Sequence, residues 1–142
     1  ATSADWAQFL NEMQDSATVE AEGIGQILAM VGDPNDPVTT AMGRTNVIYQ
    51  LNVDDPATYA AAWSDFAGAN LQAGNVSYLS SVLAYGTNPG THVVNNVYSS
   101  PGEALSNQPQ SMEGFDVFLQ RVSSIRAVVG RVVTTVVGEW RP

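Results

Sequence analysis

Histidine is the side chain best suited to acid–base or metal chemistry near neutral pH, and this chain has one, His92, opening the apolar run His92–Tyr98. In an extended segment His92 shares a face with Val94, Asn96 and Tyr98. It is the candidate catalytic residue; the competing reading is a structural histidine. Amides and hydroxyls supply the other candidates. Over Asn46–Val53 (NVIYQLNV), Val47, Tyr49, Leu51 and Val53 fall on one side, and Asn46, Ile48, Gln50 and Asn52 on the other. That alternation describes a half-buried strand. With the apolar set packed on helices, Asn46, Gln50 and Asn52 line the opposite face. Asn96 with His92, or else Asn95, joins them, together with Arg131 or Thr134 from the last strand. Such a surface suits a small polar or aromatic ligand; a solvated face or a dimer contact is the alternative.

Other chemical signals are few. The chain has no cysteine, which removes disulfides, zinc thiolates and cysteine nucleophiles. It has no glycine-rich phosphate loop, no His-x-x-x-His and no Gly-x-Ser-x-Gly. Asp54-Asp55-Pro56 reads as a helix start rather than a metal pair. Asp33, Asn35 and Asp36 offer clustered oxygens for Ca²⁺ but lack EF-hand spacing. Asn75-Val76-Ser77 fits a glycosylation acceptor. No metal and no cofactor is expected.

The elements that position these residues repeat. An aromatic-x-x-Phe pair followed by an apolar run ending at glycine occurs three times: Trp6/Phe9 to Gly32, Trp63/Phe66 to Gly86, and Phe115/Phe118 to Gly138. The aromatics fall on helix stripes, whose ordinary role is core packing. A helix is expected over Ser3–Asp15, with Trp6, Phe9, Leu10 and Met13 on one face. Val19–Val31 fits helix or strand by periodicity, and strand by its glycines and its match to the later copies. Residues 33–44 (DPNDPVTTAMGR) read as a linker. Then come strand 46–53, a helix capped by Asp55, strands Val76–Tyr85 and His92–Tyr98 joined through Gly86–Gly90, and a short helix from Ser100. A further helix is expected to open at Ser111, and a last strand to span Arg131–Val137.

From Thr45 the expected order is β-α-β-β-α-β, a ferredoxin-like α+β arrangement with an antiparallel sheet. The segments NVIYQLNVDDPATYAAAWSDF, AYGTNPGTHVVNNVYSSPGEA and FDVFLQRVSSIRAVVGRVVTTVVGEW resemble the dimeric α+β barrel superfamily. That superfamily includes antibiotic-biosynthesis monooxygenases, stress-responsive barrel proteins and NIPSNAP-like proteins. The resemblance covers residues 45–140 and implies a cavity enclosed by two facing sheets, the barrel being completed by a second copy. Residues 1–32 then read as a helix–strand half-repeat, 33–44 as a linker and 45–142 as the barrel domain. The half-repeat is either the end of a longer tandem chain or a strand added to its own or a neighbouring sheet.

The charge excludes some partners. Fourteen acidic residues against five arginines and no lysine give a net charge of -9. Nucleic acid and anionic membrane surfaces both require a cationic face. No apolar run reaches the roughly 18–20 residues of a membrane-spanning helix. The small-residue start Ala1-Thr2-Ser3 fits a processed, secreted or periplasmic chain. The expectation is an exported, homo-oligomeric barrel binding a small molecule on the polar sheet face. The alternatives are a cofactor-independent monooxygenase or isomerase using His92, and a self-assembling extracellular protein using the N-terminal helix–strand.

Overall fold

Alternation in NVIYQLNV becomes an interior strand of an antiparallel sheet. The computed structural model describes Gln8 and residues 23–36, 42–85 and 90–138. The expected Ser3–Asp15 helix with Trp6 and Phe9, the connection over residues 86–89, and Trp140 lie outside them. Strand β1 is Gly23–Val31, β2 Thr45–Val53, β3 Val76–Tyr85, β4 His92–Tyr98 and β5 Arg126–Thr135. Helix α1 is Pro56–Asn70, α2 Pro101–Ser106 and α3 Phe115–Val122. The strand order is β1-β3-β4-β2-β5, every neighbouring pair antiparallel. This is an α+β fold with five strands and three helices among the described residues, compatible with a ferredoxin-like class. The strand of the first repeat, β1, joins its own chain's sheet along β3.

Local signals set the helix starts. Asp55 Oδ1 accepts from Thr58 N at 3.0 Å, with Pro56 at the first helical position, so the Asp54-Asp55 pair serves as a cap. Ser100 Oγ accepts from Glu103 N at 3.2 Å, while Glu103 reaches back to Ser99 N at 3.0 Å. This is a capping box displaced by one residue. Two expectations change. Ser111 closes a 3₁₀ turn over Pro109–Ser111, and α3 begins only at Phe115, after Gly114 in the left-handed region. The last strand starts at Arg126 rather than Arg131, because its pairing with β2 continues past Gly130 to Val53. Gly130 does not end the strand, although the register shifts by one residue beside it; the Gln50 side chain occupies the space a Cβ would need there.

Most of the described core lies on one side of the sheet; Val76 and Val97 are buried on the other. Leu51, Val53, Leu79 and Val94 pack beneath Tyr59, Trp63, Phe118 and Val122. Burying each such side chain contributes roughly 1.5–3 kcal/mol. Two copies of the aromatic repeat interlock here: Phe66 of α1 stacks on Phe118 of α3 at 4.9 Å, with Phe115 at 5.9 Å from Phe66 and Tyr59 at 6.2 Å from Phe118. A second cluster, Val47, Tyr98 and Ala104, seats α2. Ion pairing adds little; Arg121–Asp65 links α3 to α1 at 2.7 Å on an exposed surface.

Gly32 ends β1 at φ 97°, where an added Cβ would press into the Asn75 carbonyl oxygen and lie 2.9 Å from Leu71 Cδ2. Gly43, at φ 84°, has open space around it. Gly32→Ala is therefore expected to cost about 3 kcal/mol, backbone strain plus overpacking, and Gly43→Ala only about 1 kcal/mol. Urea unfolding of the two variants checks the difference; equal costs would show that the β1–β3 junction is looser than drawn.

Candidate functional site

Residues directly opposite one another in antiparallel strands point to the same face. On β2, Val47 faces Asn96 and Val133, Tyr49 faces Val94 and Arg131, and Leu51 faces His92. His92, Asn96 and Arg131 thus lie on the helix-covered side. Asn46 is opposite Thr134, Ile48 opposite Asn95 and Val132, and Gln50 opposite Gly130. Asn46, Gln50, Asn52 and Thr134 therefore line the open side, and Asn95 joins them instead of Asn96. The seven sequence candidates divide between two surfaces. Alternation within one strand is legible in a sequence; the register that relates two strands is not.

The helix-covered side contains a cavity of about 190 Å³ between the sheet, α1, α3 and residues 109–112. Tyr49, Trp63, Phe66, Tyr98, Phe115 and Phe118 form most of its wall. Besides the tyrosine hydroxyls, its polar groups are Ser77, Asn96, Asn70, Gln110 and Arg126. Ser77 Oγ donates to Asn96 Oδ1 at 2.5 Å. This anchors the amide. Tyr98 donates to the Asn107 carbonyl at 3.1 Å. Burial pushes its phenol up to about 12, reinforced by Tyr49 and Glu103 and opposed by Arg131. Burial also raises the phenols of Tyr49 and Tyr59. All three are neutral hydroxyls at physiological pH. Two arginines stand over aromatic rings on this side: Arg126 5.4 Å from the Phe118 ring, and Arg131 5.5 Å from that of Tyr49.

His92 is not part of this cavity wall. It is 6% exposed, and its Nδ1 lies 2.9 Å from Thr91 Oγ1, which also accepts from Val53 N at 3.0 Å. Burial lowers its pKa, so the ring is neutral near pH 7 and ties the β4 start to the end of β2. Two other sequence features have local structural roles. Asn75 is buried, with Nδ2 donating to Glu103 at 2.9 Å, and Ser77 is buried too; the folded chain offers no glycosylation acceptor there. Asp33 accepts from Asn35 N at 2.8 Å in a local turn. Among the described residues no group of three or more His, Cys, Asp or Glu is placed to hold a metal, and no helix is long and apolar enough to cross a membrane.

Sequence reasoning treated the aromatic stripes as packing alone and missed their second use as cavity walls. Arg126 and Ser77 were missed as well. The available signal was Arg126 itself, a scarce cation two residues before Val128-Val129.

The lowered His92 pKa has a pH signature. The unfolded chain takes up a proton near 6.5 before the folded one does. Stability is therefore full above that pH and declines as pH falls through it toward the folded pKa. Urea unfolding between about pH 7.5 and 5 should show this slope in the wild type and a shallower one in His92→Gln; identical slopes would remove the assignment.

No protein-family model, no curated protein and no solved structure matches this chain; the chemistry open to it is what these two surfaces allow.

Proposed function

We propose that this chain is a small-ligand-binding α+β protein of the ferredoxin-like class, its ligand seated between sheet and helices. The order β3-β4-β2-β5, with α1 and α3 on one face, supports that class. The observation that carries the function is the aromatic cavity of about 190 Å³. An apolar cavity of about 150 Å³ takes up benzene, whereas drug-sized ligands occupy roughly 300–1,000 Å³. One or two rings fit; a porphyrin does not. The neutral Tyr hydroxyls and the Asn96 amide supply orientation, and the ring faces supply most of the contact area.

A second reading concerns the open face. Ile27, Met30 and Val132 are exposed there at 60%, 45% and 42%. Asn95 Oδ1 is sequestered on the same face without a hydrogen-bond partner. An apolar sheet surface with an unsatisfied amide favours coverage by a second sheet, packed about 10 Å away. The occupant proposed is a second copy of the chain, which would complete a barrel.

Each reading has its own test. Ala67 lines the cavity from α1, and Ala67→Phe fills it. Calorimetric titration with indole and with phenol should detect binding to the wild type and none to the variant, with little change in the unfolding midpoint. Binding that survives the substitution, or no binding to the wild type, would refute the cavity reading. For the open face, Ile48→Glu puts a charge at its centre. Sedimentation should find a wild-type dimer and a folded monomeric variant; a monomeric wild type rejects the pairing.

A further inference from the structure

The cavity is lined by one of the chain's few cations. The chain carries only five cationic side chains, all arginine, against fourteen carboxylates. Arg121 is taken by Asp65. Arg126 and Arg131 both project from β5 on the helix-covered side, opposite Val53 and Tyr49. Neither has a carboxylate partner among the described residues. In a chain of net charge -9, unpaired arginines beside an apolar cavity need a reason, because carboxylates to neutralise them are abundant. Arg126 lines the cavity itself. Its guanidinium lies over the Phe118 ring at 5.4 Å and hydrogen-bonds to the Tyr59 side chain; both contacts orient the group, and its five-donor fork retains further N–H groups for a ligand. Arg131 is held over Tyr49, outside the cavity lining.

We propose that the cavity binds a small aromatic carboxylate, its ring among Trp63, Phe66 and Phe115 and its carboxyl group paired with Arg126. This rests on the cavity reading above and adds the ligand's charge to it. A planar guanidinium matches a carboxylate in two parallel hydrogen bonds, which a neutral amide of the same shape cannot reproduce. The surrounding negative charge repels anions at long range. The preference therefore comes from the local arginine and not from the protein's overall field.

Matched probes test this: indole-3-acetate against indole-3-acetamide, and benzoate against benzamide, titrated calorimetrically at fixed ionic strength. Wild type should bind each acid about tenfold more tightly than its amide, as one partly exposed charge-assisted pair provides. Arg126→Gln should abolish the difference while leaving amide affinity within about twofold. Arg126→Lys, which keeps the charge without the fork, should retain part of it. Arg131→Gln changes net charge equally and should leave the preference intact. Equal binding of acid and amide to the wild type, both blocked by Ala67→Phe, overturns the charge preference and leaves the cavity reading standing. An equal loss of preference in Arg126→Gln and Arg131→Gln also overturns it, by assigning the effect to general charge. If neither acids nor amides bind, or Ala67→Phe blocks neither, the cavity reading itself fails and takes this inference with it.

Discussion

The stack of Phe66 on Phe118 is the contact on which the helix side of this protein depends. It joins α1 to α3 at 4.9 Å, with Tyr59 and Phe115 against its edges. An aromatic pair contributes about 0.5–1.5 kcal/mol beyond its buried area, and this one also sets a spacing. With α1 and α3 held at the distance of two rings, the segment between α2 and α3 spans the remaining gap without filling it. The cavity is that gap. The same two phenylalanines serve as clamp and wall, so stability and ligand-binding capacity share residues here.

Strand β2 is the other organising element. It lies between β4 and β5 and sends Val47, Leu51 and Val53 into the core while Asn46, Gln50 and Asn52 face outward. Its pairing gives the molecule two surfaces of different character. One is aromatic, covered by helices and lined in part by Arg126. The other carries no helix among the described residues, and apolar side chains, buried Val76 and Val97 among them, are interspersed with amides. Charge follows the same division: carboxylates such as Asp55 and Asp65 lie outside, whereas Arg126 sits at the mouth of the enclosed side.

Much of the fold was legible because it rests on local physics. Pro56 behind Asp55, Pro101 behind Ser100, and the period-2 run of β2 each act within a few residues, and the ends of β3 and β4 were read in full. The errors arose where distant residues intervened. Arg126–Val129 extend β5 only because β2 offers partners as far as Val53. Gly130 looked like a boundary and is accommodated by Gln50. Asn75-Val76-Ser77 had an acceptor's pattern, but its burial, with Asn75 bonded to Glu103 of α2, is a tertiary fact.

The candidate site shows the same division. Which residues of β4 share a side, His92 with Val94, Asn96 and Tyr98, followed from alternation alone. Whether that side met the helices or the open surface depended on pairing Val47 with Asn96 rather than with Asn95. A one-residue shift in register would have exchanged the two sets. The chain's own order of residues thus determined its helices, its strands, its caps and the inward stripe of each element. Tertiary structure alone decided which polar groups meet, that the aromatic stripes enclose a space as well as fill one, and that Arg126 opens onto it. Local conformation is governed by neighbours in sequence, whereas a cavity is defined by walls brought together from α1, α3, β2, β3, β4 and β5.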